Sequence, residues 1–440
     1  MINELMRIVW IVNIAMADAC VALGKPAPVI GGWLTGYRDA LLSVHPEVEL
    51  HIVEPYWGAS PKEITTRWEA EDNRSAVITH HLFPDSWLAT EMQQADPMRS
   101  RLSAISNRLL AHFAELSAEI QPDVVHLHGT ELPHALAWIE ANGTEHTLAS
   151  IQGLACECAK VYMSGLTPKQ QRRSLSDWRH GFSLAKEQAK LAERGTTEVA
   201  LLRQIEHVAG RTQWDHDSAL AINGNLRYHT LQEVLRQDFY DYAGTWSYDR
   251  SQPHTLFLSQ SHYPLKGLHQ ILTALPMVLE RYPDTQVRIV GRDITTKHWW
   301  QRSTYGNVLH ELIERHNLRP HLTFLGALSA QQMVHEYQQA QIFVCPSRLE
   351  NSNNSVCEAQ LIGTPTIASR VGGLTSLVEH NHSGLLYDFA NVQALADCIC
   401  SLFSNADLCR QVSKEASRVA LLRHDREIIA STLYNIYKEL

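Results

Sequence analysis

Residues Cys345–Gly373 read CPSRLENSNNSVCEAQLIGTPTIASRVGG, and they begin where the apolar stretch Ile342–Cys345 ends. That stretch has the length and β-rich composition of a buried strand. The polar loop Asn351–Ser355 follows it, then a helical run Val356–Ile362 that stops at Gly363, and a second strand candidate, Pro365–Ala368. Strand, loop, helix and strand in succession are the repeating unit of a mostly parallel sheet, whose ligands bind beyond the carboxyl ends of the strands. The loop therefore stands where chemistry is expected. It carries Glu350, and Glu358 follows with seven residues between the two.

The same grammar extends in both directions. Thr255–Ser259, Gln286–Val290 and Leu322–Phe324 are further strand candidates in the second half. In the first half Arg7–Asn13 reads as a strand, and Gly31 and Gly32 lead into a helical stretch, Trp33–Leu42. Val48–Val53, Ala76–Ile78, Val124–Leu127 and Leu148–Ile151 follow as strands, with helical patterns at Arg101–Ile120 and Ala135–Asn142. This α/β alternation, over a chain of 440 residues, exceeds what one hydrophobic core serves, so two domains are predicted. Asp238–Pro253 lacks periodicity and places the linker near 245, giving domains 1–245 and 246–440. The polar stretch near 164–210 reads as a helical insertion in the first domain. Arg426–Tyr437, with Ile428, Ile429, Leu433, Ile436 and Tyr437 near helical spacing, reads as an amphipathic helix assigned to the second domain.

Composition narrows the function. A net charge of -9 and a pI near 6.2 speak against nucleic acid as a partner, because such binding draws on clustered Lys and Arg. The one basic cluster, Lys169, Arg172, Arg173 and Arg179, reads as a solvated helix face, with weak peripheral membrane contact as the alternative. No apolar run is long enough to span a bilayer and no signal layout opens the chain, so a cytosolic location is expected. The eight cysteines lack zinc-site spacing and read as reduced, packed thiols.

A carboxylate near a helix start can accept hydrogen bonds from vicinal hydroxyls such as those of a ribose, and the helix N-terminus suits a phosphate. The block of P-S, Glu350, Glu358 in E-A, and G-T-P…G-G resembles the E-x7-E signature of family 4 of the retaining glycosyltransferases. That resemblance implies a GT-B fold, two Rossmann-like doubly wound parallel-sheet domains facing a central cleft. It implies that Glu358 holds the ribose of a nucleotide-sugar donor and Glu350 lies beside the sugar and departing phosphate. Asn353, Asn354 and Ser355 stand where the family usually has glycines and would offer donors to the phosphate. Ser259–Gly267, SQSHYPLKG, is similar to the family's phosphate clamp, with Lys266 as its lysine but Ser261 where an arginine is usual. Arg292 in VGRD is the proposed substitute; by itself Lys266 would read equally well as a solvated helix start.

In the first half Gly31 and Gly32 resemble the family's donor-phosphate loop, the bland alternative being a tight turn. Asp123–Glu131, DVVHLHGTE, resembles its H-x-H strand; His128 is placed beside the reacting sugar and His126 in the core. Arg211 and Asp215 of GRTQWD are assigned to the acceptor side of the cleft. Without a D-x-D strand end or a third ligand for the two histidines, neither metal nor other cofactor is expected. The resemblance implies a retaining hexosyltransferase acting on a glycan, a lipid-linked glycan at the inner membrane face, or a small molecule. A GT-B epimerase or phosphorylase and a noncatalytic nucleotide-sugar-binding subunit remain as alternatives.

Overall fold

The computed structural model describes residues 5–26, 31–70, 72–88 and 107–440. Part of the expected Arg101–Ile120 helix falls outside these residues; the described part is Asn107–Ile120.

Among the described residues the first sheet contains β1 (Arg7–Val12), β2 (Glu49–Tyr56), β3 (Lys62–Glu69), β4 (Ser75–Pro84), β5 (Val124–His128), β6 (Thr147–Ser150), β7 (His207–Gly210) and β8 (Arg227–Thr230). Its order is β3-β4-β2-β1-β5-β6-β7-β8, parallel except for β3 against β4. The second sheet holds β9 (Gln252–Leu258), β10 (Gln286–Ile289), β11 (Leu322–Phe324), β12 (Ala340–Cys345), β13 (Thr366–Ser369) and β14 (Leu385–Tyr387). It runs β11-β10-β9-β12-β13-β14, all parallel, which is the strand order of a dinucleotide-binding domain. Two parallel-sheet α/β domains thus make up the molecule.

The apolar run at β1 follows from burial on both faces. Ile8, Trp10 and Val12 face the helices Gly32–Val44 and Arg426–Glu439, while Val9 and Ile11 face Asn107–Ile120 and Pro133–Asn142. Alternate side chains of one strand therefore seed two separate cores.

The helix Arg426–Glu439 corrects the expected assignment to the second domain. Ile429, Ala430, Leu433, Ile436 and Tyr437 pack into the first domain's core with Trp10, Leu34 and Leu41. An amphipathic helix settles on the apolar surface that also satisfies its polar tips. Here the Tyr437 hydroxyl accepts from Trp10 Nε1 at 2.9 Å and lies 2.7 Å from His126 Nδ1.

The expected insertion near 164–210 differs at both ends. Its helices are Ala155–Val161, Leu175–Arg179 and Leu184–Leu202, and residues 207–210 belong to β7 instead. The insertion reaches the second domain: Tyr162, Leu166 and Leu184 join that domain's core. Asp177 Oδ2 accepts from both the backbone N–H and the hydroxyl of Thr304, each at 2.6 Å, and Ser174 N–H donates to Thr304 Oγ1 at 3.0 Å. Ser174, Asp177 and Thr304 are all buried, so this clasp is shielded from competing water. The basic residues Lys169, Arg172, Arg173 and Arg179 are exposed, and all eight cysteines are free.

Candidate active site

Each sheet reverses its winding at one point, β1/β5 in the first and β9/β12 in the second, and a crevice forms at such a switch point. Gly31 and His128 follow the ends of β1 and β5 or close them; Lys266 and Glu350 follow β9 and β12. Within each sheet, topology alone brings candidates from separate strand ends to the same switch point.

In the second domain Pro264–Lys266 forms a single 3-10 turn, and Gly267 (φ 72°) turns the chain into the helix Leu268–Leu279. A Cβ on Gly267 would come 1.8 Å from the carbonyl oxygen of Pro346, so only glycine lets the two motif loops touch here. Arg348 N–H donates to Leu265 O at 2.7 Å and fastens them. Lys266 Nζ consequently sits 2.6 Å from Glu350 Oε1, both side chains largely buried. Burial opposes the charge on Lys266, but the Glu350 carboxylate overrides it and raises the ammonium's pKa above its ordinary value. Gly372 and Gly373 press on the same loop: Cβ atoms there would meet the carbonyl oxygens of Glu350 at 2.3 Å and Asn351 at 2.6 Å. That close approach accounts for the G-G pair.

The helix carrying Glu358 is Asn354–Ile362. Asn353 caps it, its Oδ1 accepting from Val356 N–H at 3.0 Å, and Gly363 (φ 91°) ends it. Asn353 caps the third N–H of the turn, so the N–H groups of Asn354 and Ser355 stand free of the cap at the helix N-terminus, the position at which a phosphate can bind. The Asn354 Oδ1 and Asn351 Nδ2 atoms are buried without a protein partner. Glu358, one turn on, is buried; Arg236 Nη2 donates to its Oε1 at 2.8 Å and the Tyr337 hydroxyl to its Oε2 at 3.2 Å. Burial raises the Glu358 carboxyl above its ordinary pKa despite the Arg236 guanidinium.

Arg292 is exposed and forms no ion pair among the described residues. It follows Gly291, whose Cβ position lies 3.0 Å from His262 Nδ1 and 3.5 Å from Ser261 Oγ, so it borders the Lys266 loop. Ser261 itself is buried, its hydroxyl donating to Val290 O at 3.3 Å.

In the first domain Gly31 (φ 87°) caps the helix Gly32–Val44, and residues 27–30 before it lie outside the described residues. A Cβ on Gly32 would sit 2.9 Å from Arg236 Cγ. His128 ends β5 with 1% exposure, both ring nitrogens without a partner, against Trp10 at 4.5 Å and Trp33 at 5.7 Å between ring centres. Burial holds its pKa well below the ordinary histidine value, so the ring is neutral. His126 is instead satisfied by Tyr437 and by Ser150 Oγ at 2.7 Å.

Arg211 and Asp215 do not line the acceptor side of the crevice. Arg211 is buried, paired with Glu233 and donating to Ile151 O at 3.0 Å and Gln152 O at 2.6 Å. Asp215, fully buried, closes a capping box with Thr212 and accepts from the Tyr228 hydroxyl at 2.5 Å. Thr212 and Asp215 are consumed in starting a helix, and Arg211 in a buried ion pair. Thr212 additionally crosses to the second domain, donating to Asn351 Oδ1 at 2.8 Å.

Three participants carry no motif. Arg236 pairs with Glu358 across 122 positions. Tyr337 reaches Glu358 from the helix Ala330–Gln339. Glu198, its carboxyl raised to about 7 by burial, accepts from Thr130 Oγ1 at 3.1 Å and Cys156 N–H at 3.0 Å, just beyond the His128 strand end. Among the described residues no group of three or more His, Cys, Asp or Glu is placed to hold a metal ion, and no helix is long and apolar enough to cross a membrane.

The chain is similar to known proteins in two ways. D-inositol 3-phosphate glycosyltransferase of Corynebacterium urealyticum is 33% identical over 176 residues, 40% of this chain and 41% of that protein. The match thus spans less than half of this curated relative's length. Sucrose-phosphate synthase of Thermosynechococcus elongatus superposes with a TM-score of 0.65 at 17% identity, covering 99% of this chain and 98% of the other. Anabaena HepE in complex with UDP-glucose gives a TM-score of 0.60 at 15% identity, covering 99% and 100%. Such identities speak for the fold, and the fold of these neighbours is GT-B. Residues 249–419, which contain Lys266, Arg292, Glu350 and Glu358, match the family described as "Glycosyl transferases group 1", so the second domain is a glycosyl transferases group 1 domain within a GT-B fold.

Proposed function

We propose that the chain is a retaining, metal-independent hexosyltransferase that moves a sugar from a nucleotide diphosphate carrier to an acceptor hydroxyl. The observation that carries this reading is the joining of Lys266 and Glu350 at 2.6 Å at the β9/β12 switch point, inside the group 1 domain. Glu358 accepts hydrogen bonds from the ribose hydroxyls. The first-turn N–H groups after Asn353, with Asn354 and Ser355, receive the diphosphate. Lys266 counters the charge that builds on the departing phosphate, and Arg292 stands in for the arginine replaced by Ser261. Glu350 holds Lys266 and meets the donor sugar; neutral His128, its nitrogens unpartnered, faces the sugar from the first domain.

The glycosidic C–O bond to the diphosphate breaks and the acceptor oxygen bonds to the anomeric carbon from the same face. The acceptor proton passes to the departing phosphate oxygen, so no protein base is required. Closure of two domains excludes water, whose attack would hydrolyse the donor. Positive charge and the helix N-terminus do the work of a metal.

A glycan, lipid-linked glycan or small molecule serves as acceptor. A lipid-linked one is supported by the exposed Trp178 and Trp299 near the basic residues Arg179 and Lys297, a composition suited to peripheral contact with an anionic membrane face.

The test is a panel of UDP-, GDP- and ADP-sugars, with binding and slow release of nucleotide measured for the unsubstituted protein and for Glu358→Ala, with and without EDTA. Selective binding of one donor, lost in the variant and unaffected by chelator, is expected. Binding of none would sink the transferase reading, and chelator-sensitive release would overturn metal independence.

A further inference from the structure

Arg236 belongs to neither motif, yet it touches both halves of the crevice. It follows the segment Leu231–Leu235 (LQEVL) that leaves β8, and its stem lies against Gly32: a Cβ there would meet Arg236 Cγ at 2.9 Å and Cδ at 3.0 Å. Its guanidinium stacks 4.8 Å above Phe239 and ends on Glu358 Oε1 at 2.8 Å. The stem is fixed by one domain and the charge is delivered to the other.

Glu358 is enclosed on three sides. Its own helix buries it, the Tyr337 hydroxyl from the helix Ala330–Gln339 shares its proton between Ser355 O at 3.0 Å and Oε2 at 3.2 Å, and Arg236 covers Oε1. Those two are the titratable and charged groups that act on it, and burial holds the Tyr337 hydroxyl well above its ordinary pKa, so it stays neutral. Arg236 is therefore the cation that keeps a carboxylate in a dry site. Each carboxylate oxygen has two lone pairs and spends one on Arg236 or Tyr337, which leaves one apiece for a ligand. Two vicinal hydroxyls match that remainder, and a protonated carboxyl would not.

We propose that Arg236 is the positioning residue of the donor site: it keeps Glu358 ionised and aimed so that both free lone pairs receive the ribose, and Gly32 is glycine to admit its stem. This rests on the reading of Glu358 as the ribose acceptor. It changes the meaning of the Gly31–Gly32 pair, since Gly32 serves Arg236 and not only a phosphate.

The pH dependence of nucleotide binding separates this role from plain scaffolding. UDP, GDP and ADP are titrated into the unsubstituted protein, Arg236→Met, Arg236→Lys and Gly32→Ala between pH 5 and 8. An adjacent guanidinium lowers a carboxyl by about 1–3 pH units, so its removal should raise the midpoint at which affinity is lost on acidification by that amount. At pH 6 the Arg236→Met protein should bind at least about tenfold more weakly than at pH 8. Lysine should restore most of the original profile, and Gly32→Ala, which displaces the arginine without deleting it, should shift the midpoint in the same direction. A uniform loss with an unchanged pH midpoint, or no loss, overturns the positioning role while leaving the transferase reading intact. Failure of the unsubstituted protein to bind any of the three nucleotides overturns both.

Discussion

Gly267→Ala probes how tightly the donor-site loops are fitted together. Two costs arise and can be separated. The first is conformational: φ is 72°, and an L-residue held in the left-handed region loses roughly 1–2 kcal/mol. The second is steric, because the new Cβ would stand 1.8 Å from Pro346 O where real Cβ atoms keep at least 3.0 Å. The loops must part by more than an ångström, and overpacking of that kind costs about 1–3 kcal/mol. The sum is about 2–5 kcal/mol. Gly326 is the matched control: it lies in the same domain with φ 73° and nothing within 4 Å of its Cβ position, so Gly326→Ala should cost the conformational part alone. Urea unfolding gives both values, and nucleotide release from the preferred donor gives the functional one. Since Lys266 precedes Gly267, parting the loops moves Nζ from Glu350, and misplacement by about an ångström costs on the order of a hundredfold in rate. Equal destabilisation by the two substitutions would refute the argument that contact with Pro346 dictates the glycine.

Two further perturbations address the frame around the site. His80 is fully buried; burial opposes its charge, but Asp18 and Glu54 on either side raise its pKa to about 9. Its stabilising contribution is complete below about pH 6.5 and lost as pH rises through about 9, so thermal stability should fall over that window and His80→Gln should flatten the decline. A flat profile in the unsubstituted protein would count against a charged His80. At the clasp, Asp177→Ala strands the Thr304 N–H and hydroxyl and should cost about 1–3 kcal/mol, while adding Thr304→Val should cost much less than its single effect. Strict additivity of the two in urea unfolding would mean that the contact contributes nothing of its own.

What was legible in the chain is what local chemistry writes down. Buried parallel strands print as apolar runs, so β1, β5, β9 and β12 stand out, and their strand ends carry His128, Lys266 and Glu350. β3 is half-exposed, antiparallel and polar (KEITTRWE), and β8 is partly exposed, so neither prints such a run. Asp215 misled because polar residues at a helix start serve equally well as ligands or caps, and here capping wins; Arg211 misled because its partner Glu233 is distant in sequence. Arg236 was invisible for a different cause: an arginine in an irregular connection has no local signature, and its partner lies across the domain boundary. The helix Arg426–Glu439 was legible as amphipathic, but periodicity names a face and not the surface that face meets.

That helix has a consequence for how the molecule is made. A ribosome delivers every strand of the first sheet long before residues 426–439 emerge, yet Trp10 and His126 in the middle of that sheet await the hydroxyl of Tyr437. The first domain must therefore wait, incompletely packed, while the whole second domain is synthesised and folds, the reverse of the usual N-terminal-first order. Residues 1–245 produced alone would expose the apolar strip that Ile429, Leu433 and Ile436 cover. The chain therefore crosses between the domains twice, once after β8 and again before Arg426, so the two folding units share both of the second domain's ends.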